Sequence, residues 1–364
     1  MESKLLDPHP DKSCYIVAGE KKARMKMKKK LAAHPLLLYN NNMKEVENNK
    51  YLGCLLSRTV SQSVTDTVNS RIGLARRAIY EIRTIIEDSR AGVIGSIKVG
   101  LSLWEMSVIP MLLYSSEVWS DIPAKTMRKL EETNSLMLSN LLGVSKRGCP
   151  EVSLYLEMAN LTVQNQKLLR KMLFIHRVAT LPNDSLASEC YEEMLKHSLP
   201  GIVSNCVSHM NQWGITNIRQ YSKWSWKKLM KEKIKLKNFQ DLLKQSERYK
   251  KIDTELYRTK APEMKSYLKT LNLEDARILF RKNSFMLKTV RYNFKSDKHY
   301  KAEGYLCPDC LALDPPVSHP DNQEELLTCQ GNLDLRLNRD MSDQKHEARY
   351  YRELIERRIQ NHGG

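Results

Sequence analysis

The sequence predicts a mainly helical protein, with strand confined to roughly the first 60 residues and a cysteine-bearing loop near the C-terminus. Three observations predict it. From Val60 onward apolar residues recur at steps of three and four, the period of an amphipathic helix. Before Val60, short apolar runs alternate with glycine and asparagine turn signals. Over 364 residues, a hydrophobic content of 41% fills a sizeable core and allows two or three domains.

Lys12 to Gly19 reads as a short strand ending at glycine, and the basic run Lys21 to Lys30 as a loop. Pro35 to Tyr39 reads as a second strand, Asn40 to Asn42 as a turn, and Tyr51 to Leu56 as a third strand bent at Gly53. Three short strands cannot bury both faces of a sheet. This piece is therefore expected to be the edge of something larger or to pack on the residues beyond 60. Val60, Val64, Val68, Ile72, Ala75, Ile79, Ile82 and Ile86 then mark one long helix, with Arg71, Arg76, Arg77 and Arg83 on its other faces. A nearly uncharged helix is expected from about Ala91 to Trp119, kinked at Pro110. A third, introduced by Asp121 and Pro123, carries Met127, Leu130, Met137, Leu138 and Leu141 and stops at Gly143. Further helices are expected at Leu161 to Val178, Leu186 to Leu195, and Ile202 to Trp213. Leu273 to Val290 comes next with Asn272 as N-cap, and Asp343 to Gln360 ends the series. The expected organisation is therefore 1–59, 60–214, 215–300 and 301–364.

The formal charge of +17 and a pI near 9.4 point to a polyanionic partner. Nucleic acid is the leading reading, and an anionic membrane surface the weaker one. The longest apolar stretch, Val99 to Tyr114, contains Glu105 and Pro110 and falls short of the roughly 18 residues a span requires, so a buried helix is expected. The first residues lack the apolar region of a secretory signal, and the eight cysteines are widely spread. Both features suggest reduced thiols in the nucleus or cytoplasm.

Charge is concentrated after Gly214. Residues 221–300 hold 22 Lys or Arg against 9 Asp or Glu, an excess of 13. Trp224 and Trp226 interleave with Lys227, Lys228, Lys231 and Lys233 in this stretch. Indoles stack on bases while ammonium groups track phosphates, a pattern suited to single-stranded nucleic acid. The competing reading places Trp224 and Leu229 in the core of an amphipathic helix with a solvated lysine face. Lys21 to Lys30 reads equally as a nuclear localisation signal or as a basic loop near a template.

Cys307, Cys310 and Cys329 supply three thiolates, and a tetrahedral zinc needs a fourth ligand. His319 is the nearest imidazole. Cys307, Cys310, His319 and Cys329 are therefore the expected zinc ligands, against the alternative of a metal-free loop.

Taken in order, Lys50-Tyr51-Leu52-Gly53, Ser63-Val64 to Arg71-Ile72-Gly73, Ile109 to Tyr114, Glu117-Val118-Trp119, Lys129-Leu130-Glu131 and Leu142-Gly143-Val144 resemble the back half of a non-LTR retrotransposon reverse transcriptase of the jockey-like kind. The C-terminal cysteines complete the order. The likeness is densest from Lys50 to Pro150. From 151 to 300 it rests on Ala276-Arg277, Phe280-Arg281 and Asn293-Phe294. It implies that Pro10-Asp11-Lys12-Ser13 belongs to the palm strand that comes after the catalytic aspartates. Tyr51, Leu52 and Gly53 would then form a primer-grip-like hairpin. The region 60–214 would be a thumb-like bundle whose Arg71, Arg76, Arg77 and Arg83 touch template–primer phosphates without reading sequence. The region 215–300 becomes a basic connection, to whose contacts Arg277, Arg281 and Lys282 are added, and 301–364 a degenerate zinc knuckle. Where the family places a histidine before its last cysteine, this chain has Glu325.

No Asp-Asp pair occurs in the sequence, and two-metal phosphoryl chemistry needs converging carboxylates. The expectation is thus a non-catalytic fragment, without catalytic magnesium, that binds RNA or RNA–DNA duplex and no membrane. Two alternatives stand beside it: a domesticated helical protein-interaction adaptor, and part of a longer, active reverse transcriptase.

Overall fold

The computed structural model describes residues 13–38, 41–51, 53–87, 97–119, 122–144, 149–199, 201–249, 257, 262–284, 308–311, 313, 325–327, 329–337 and 339–362. These residues are mainly helical, with a few short strands near the N-terminus. The elements in order are β1 (Cys14–Tyr15), α1 (Lys21–Ala33), β2 (Leu37–Leu38), β3 (Asn41–Asn42), β4 (Lys44–Glu45), β5 (Asn48–Tyr51) and β6 (Cys54–Ser57). Then come α2 (Val60–Glu87), α3 (Ile97–Leu103), a π-helical segment Trp104–Val108, α4 (Ile109–Leu112), α5 (Ala124–Leu141), α6 (Glu151–Met158), α7 (Val163–Ala179), α8 (Leu186–Lys196), α9 (Ile202–Gln212) and α10 (Lys223–Ser246). The remainder comprises α11 (Ser266–Thr270), α12 (Leu273–Asn283), α13 (Pro308–Leu311), α14 (Leu333–Arg336) and α15 (Gln344–His362).

The strands form three two-stranded pieces: β1 with β4 in parallel, and the antiparallel pairs β2–β3 and β5–β6. The last is a hairpin in which Tyr51 lies opposite Cys54. Gly53 takes φ +81° in its turn, a conformation that disfavours any side chain.

Four expectations change. The basic run from Lys21 is helix, not loop: alanine, lysine, arginine and methionine are all good helix formers, and no glycine or proline interrupts them. Asn41 and Asn42 pair with Leu38 and Leu37 as strand rather than serving only as a turn. The helix expected from Ala91 to Trp119 is divided. Its π-helical segment falls just before Pro110, and the Ile109 N–H donates to the Trp104 oxygen five residues back. Proline lacks an N–H and crowds the carbonyl four residues earlier, so a wider turn ahead of it relieves the clash. Finally, α6 is an addition. Val152 to Met158 are all buried, leaving no polar stripe from which to read a period.

The long helix is as expected. Val64, Val68, Ile72, Ala75, Ile79, Ile82 and Ile86 are all buried along α2. Asn272 caps α12 by accepting from the Asp275 N–H at 2.9 Å. That helix spans Leu273–Asn283, and the rest of the expected stretch, 285–290, lies outside the described residues.

The chain groups into two compact units, each discontinuous in sequence. One contains Met1–Arg76, Met111–Leu130 and Arg170–Arg219, with Val68, Met172, Ile175 and Cys206 among its buried residues. The other contains Arg77–Pro110, Glu131–Leu169 and Gln220–Gly364, with Trp104, Leu138, Tyr155, Trp226 and Phe280 buried. No helix among the described residues is long and apolar enough to cross a membrane.

Candidate nucleic-acid interface

The candidate interface is built on α10 in the second unit. Ser222 caps this helix by accepting from the Ser225 N–H at 3.1 Å, and no glycine or proline interrupts it. The helix contains eight lysines against Glu232 and Asp241. Its buried residues Trp226, Met230, Ile234, Asn238, Leu242 and Ser246 fall at strict steps of four. Such steps advance a helix by about 400°, so the buried stripe drifts by about 40° per step. The N-terminal half consequently turns Lys223, Lys227, Lys228 and Lys231 to solvent, while Lys233 is half-buried.

The two tryptophans part company. Trp224 is 74% exposed, and its ring centroid lies 5.8 Å from the Lys228 ammonium. Trp226 is fully buried and packs against Tyr221 with centroids 5.6 Å apart. Trp226 therefore leaves the expected set of base-stacking residues. It is the core residue of this helix, the place assigned in the competing reading to Trp224.

Other expected contacts are already engaged within the fold. In the first unit, Arg71 donates to the Gly53 oxygen at 2.7 Å and lies over the Tyr114 ring. In the second, Arg277 donates from Nε to the Leu141 oxygen at 3.0 Å and from a terminal nitrogen to the Asn140 oxygen at 3.2 Å. Arg281 donates to the Gly143 oxygen at 2.7 Å. Together they satisfy carbonyls at the end of α5, where four acceptors have no partner inside the helix. Gly143 takes φ +60°, and a side chain there would meet Arg277 at 2.8 Å. Lys282 pairs with Glu347 at 3.1 Å. Arg277, Arg281 and Lys282 thus hold the fold together rather than presenting a free cationic patch. Arg76, Arg77 and Arg83 are exposed on α2. Tyr51 is exposed on the hairpin, and Leu52 lies outside the described residues.

At the cysteines, the Cys310 and Cys329 sulfurs lie 3.3 Å apart in a buried pocket. Gly331 N–H donates to Cys310 Sγ and the Asn332 amide to Cys329 Sγ, each at 3.2 Å. Zinc–sulfur bonds of about 2.3 Å in a tetrahedron would hold two sulfurs about 3.8 Å apart. At 3.3 Å the pair is closer than that, and among the described residues no group of three or more His, Cys, Asp or Glu could hold a metal ion. Cys307 and His319 lie outside the described residues.

Two polar groupings in the second unit carry no sequence signature. Asn238, buried within the α10 stripe, accepts from the Thr162 N–H at 3.0 Å and the Asn165 amide at 2.9 Å, and donates to the Asn160 oxygen at 3.0 Å. Around Glu157, Tyr267 donates at 2.7 Å and Tyr257 donates to the other carboxylate oxygen. Burial pushes the Glu157 carboxyl above its usual range, against the opposing pull of these hydrogen bonds and of Lys265. A lone asparagine or glutamate in a helical pattern gives no sign that its partners lie dozens of residues away. The one available signal is its position on the apolar stripe.

Compared with protein-family models, curated proteins and solved structures, the chain matches none of them.

Proposed function

We propose that this chain is a non-catalytic, nucleic-acid-binding portion of a non-LTR-type reverse transcriptase, holding RNA or RNA–DNA template–primer without strong sequence preference. The observation that supports the reading most is the solvent-facing side of α10, where Lys227, Lys228 and Lys231 flank an exposed Trp224. Ammonium groups spaced along a rigid helix suit a phosphate backbone, and an exposed indole beside them suits an unpaired base. Zinc on Cys307, Cys310, His319 and Cys329 belongs to the same proposal and would brace the C-terminal segment.

The test is fluorescence anisotropy of labelled oligouridylate and of an RNA–DNA hybrid, titrated with the full chain across a range of salt. The reading expects log affinity to fall linearly with log salt, by roughly 0.7 per phosphate contact on the single strand. Primer extension with magnesium or manganese should stay at the level of a heat-killed control. Salt-independent binding, or none, would leave a protein-interaction adaptor as the better account.

A further inference from the structure

The first unit has a cationic helix of its own, α1 (Lys21–Ala33), and none of its residues is buried. It contains six lysines and Arg24, and no acidic residue. Among the described residues, Lys28 is the one of these cations paired with a carboxylate, that of Glu45 in β4 at 2.5 Å. The two sides of the helix differ. Arg24, Lys28 and Leu31 are half-buried and recur at steps of four and three, so they share the side turned toward β4. Lys22, Lys26, Lys29 and Lys30 are all exposed on the opposite side, within about 100° of one another at about 100° per residue. Lys22, Lys26 and Lys30 follow one another at about 6 Å along the axis, a step comparable with that between successive phosphates of a strand.

This outer face is electrostatically uncompensated. Like charges four residues apart on a helix repel, and Lys21 and Lys22 add positive charge at the end where the backbone N–H groups already supply it. A helix of 13 residues that buries none of them gains little from packing to offset that repulsion. A row of anions along the face would remove it.

The side chains select among anions. Met25 and Met27 are both exposed but point about 200° apart, so α1 has no continuous apolar face to sink into a bilayer. It also has no aromatic ring on which an unpaired base could stack, in contrast to Trp224 on α10. Phosphates whose bases are already stacked, those of a duplex, suit it better. We propose that the outer face of α1 is a binding site for a nucleic-acid duplex, with Lys22, Lys26 and Lys30 meeting successive phosphates of one strand and Lys29 beside them. Contacts of this kind position a duplex without reading its sequence. This face lies in a different unit from α10, and its lysines act whether or not those of α10 do.

The experiment follows anisotropy of a short labelled DNA duplex of mixed sequence, titrated with the full chain across a range of salt. Lys22→Gln, Lys26→Gln and Lys30→Gln combined should flatten the log–log slope by roughly two to three units, at about 0.9 per phosphate contact. Circular dichroism should show at least as much helix in this variant, because like-charge repulsion has been removed. Two single variants separate position from net charge. Lys26→Gln should flatten the slope by about 0.9, whereas Lys28→Gln, the same change on the inner side, should leave it in place. A slope unchanged in the triple variant, or flattened equally by Lys26→Gln and Lys28→Gln, would overturn the duplex site. The lysine replacements on α10 form a separate arm, so either face can fail while the other stands. A last arm uses phosphatidylserine vesicles: cosedimentation lost in the α1 triple variant, with the duplex slope unchanged, would assign the face to an anionic membrane instead.

Discussion

The Arg71 guanidinium donates to the Gly53 carbonyl oxygen at 2.7 Å and lies 4.2 Å from the centroid of the Tyr114 ring. One side chain thereby ties the turn of the β5–β6 hairpin to α2 and to the segment after α4. The contact also explains why position 53 is glycine. A Cβ there would sit 2.7 Å from the guanidinium and 3.2 Å from the Tyr114 ring, on a backbone already at positive φ.

Arg71→Leu should therefore destabilise the fold by about 1–3 kcal/mol, the cost of a part-buried carbonyl losing a charged donor together with a cation–π contact. Gly53→Val should be at least as costly, since it adds steric overlap to backbone strain. Urea denaturation of both variants measures this. A midpoint unchanged in Arg71→Leu would show that the hairpin is held by something else.

Asn238 makes the second prediction. Asn238→Ala leaves two donors and one acceptor unpaired and should cost about 2–4 kcal/mol by summing such losses. Asn238→Asp keeps the acceptors but loses the bond to the Asn160 oxygen, and should be destabilising at neutral pH. The same denaturation series decides it, and a near-neutral Asn238→Ala would mean that water replaces the missing bonds.

The folded-state pKa of Glu157 is raised, chiefly by burial, so the native chain keeps this proton at pH values where the unfolded chain has released it. Its contribution to stability is therefore full below the ordinary glutamate value and is lost as pH rises through the raised one. Glu131, also raised mainly by burial, acts in the same sense. Glu157→Gln cannot ionise and should lose less stability than the natural chain between mildly acidic and neutral pH. Thermal melts across that range provide the measurement. Parallel pH profiles would show that Glu157 is not the titrating group.

Much of the architecture was legible because periodicity is a one-dimensional signal. The stripe from Val64 to Ile86, the Asn272 cap and the glycine stops at 143 and 214 each announce themselves within a few residues. What escaped was fixed by partners distant in sequence. Trp226 rather than Trp224 enters the core because the drift of the α10 stripe decides between them, and neighbouring tryptophans look alike in composition. Arg277 and Arg281 read as cations for phosphate, yet they close the end of a helix more than a hundred residues earlier.

That difference between structural and available cations is itself testable. Arg277→Ala with Arg281→Ala should lower stability by about 1–3 kcal/mol, as helix-end carbonyls lose their donors. The salt slope for nucleic acid should not move, because these arginines meet carbonyls rather than phosphates. Trp226→Ala should cost about 3–5 kcal/mol as a cavity in the core. Trp224→Ala should instead leave stability unchanged and weaken single-strand binding by about 1–3 kcal/mol. Equilibrium unfolding and anisotropy on the same variants separate the two classes, and a stability loss in Trp224→Ala would contradict the assignment.

The most direct test of the central claim is the salt slope of oligouridylate binding for the natural chain and for Lys227→Gln, Lys228→Gln and Lys231→Gln combined. If these lysines meet phosphates, the log–log slope should flatten by roughly two units, at about 0.7 per contact. Thermal stability should stay unchanged, because all three are exposed. An unchanged slope in a well-folded triple variant would contradict the claim that this face of α10 binds nucleic acid.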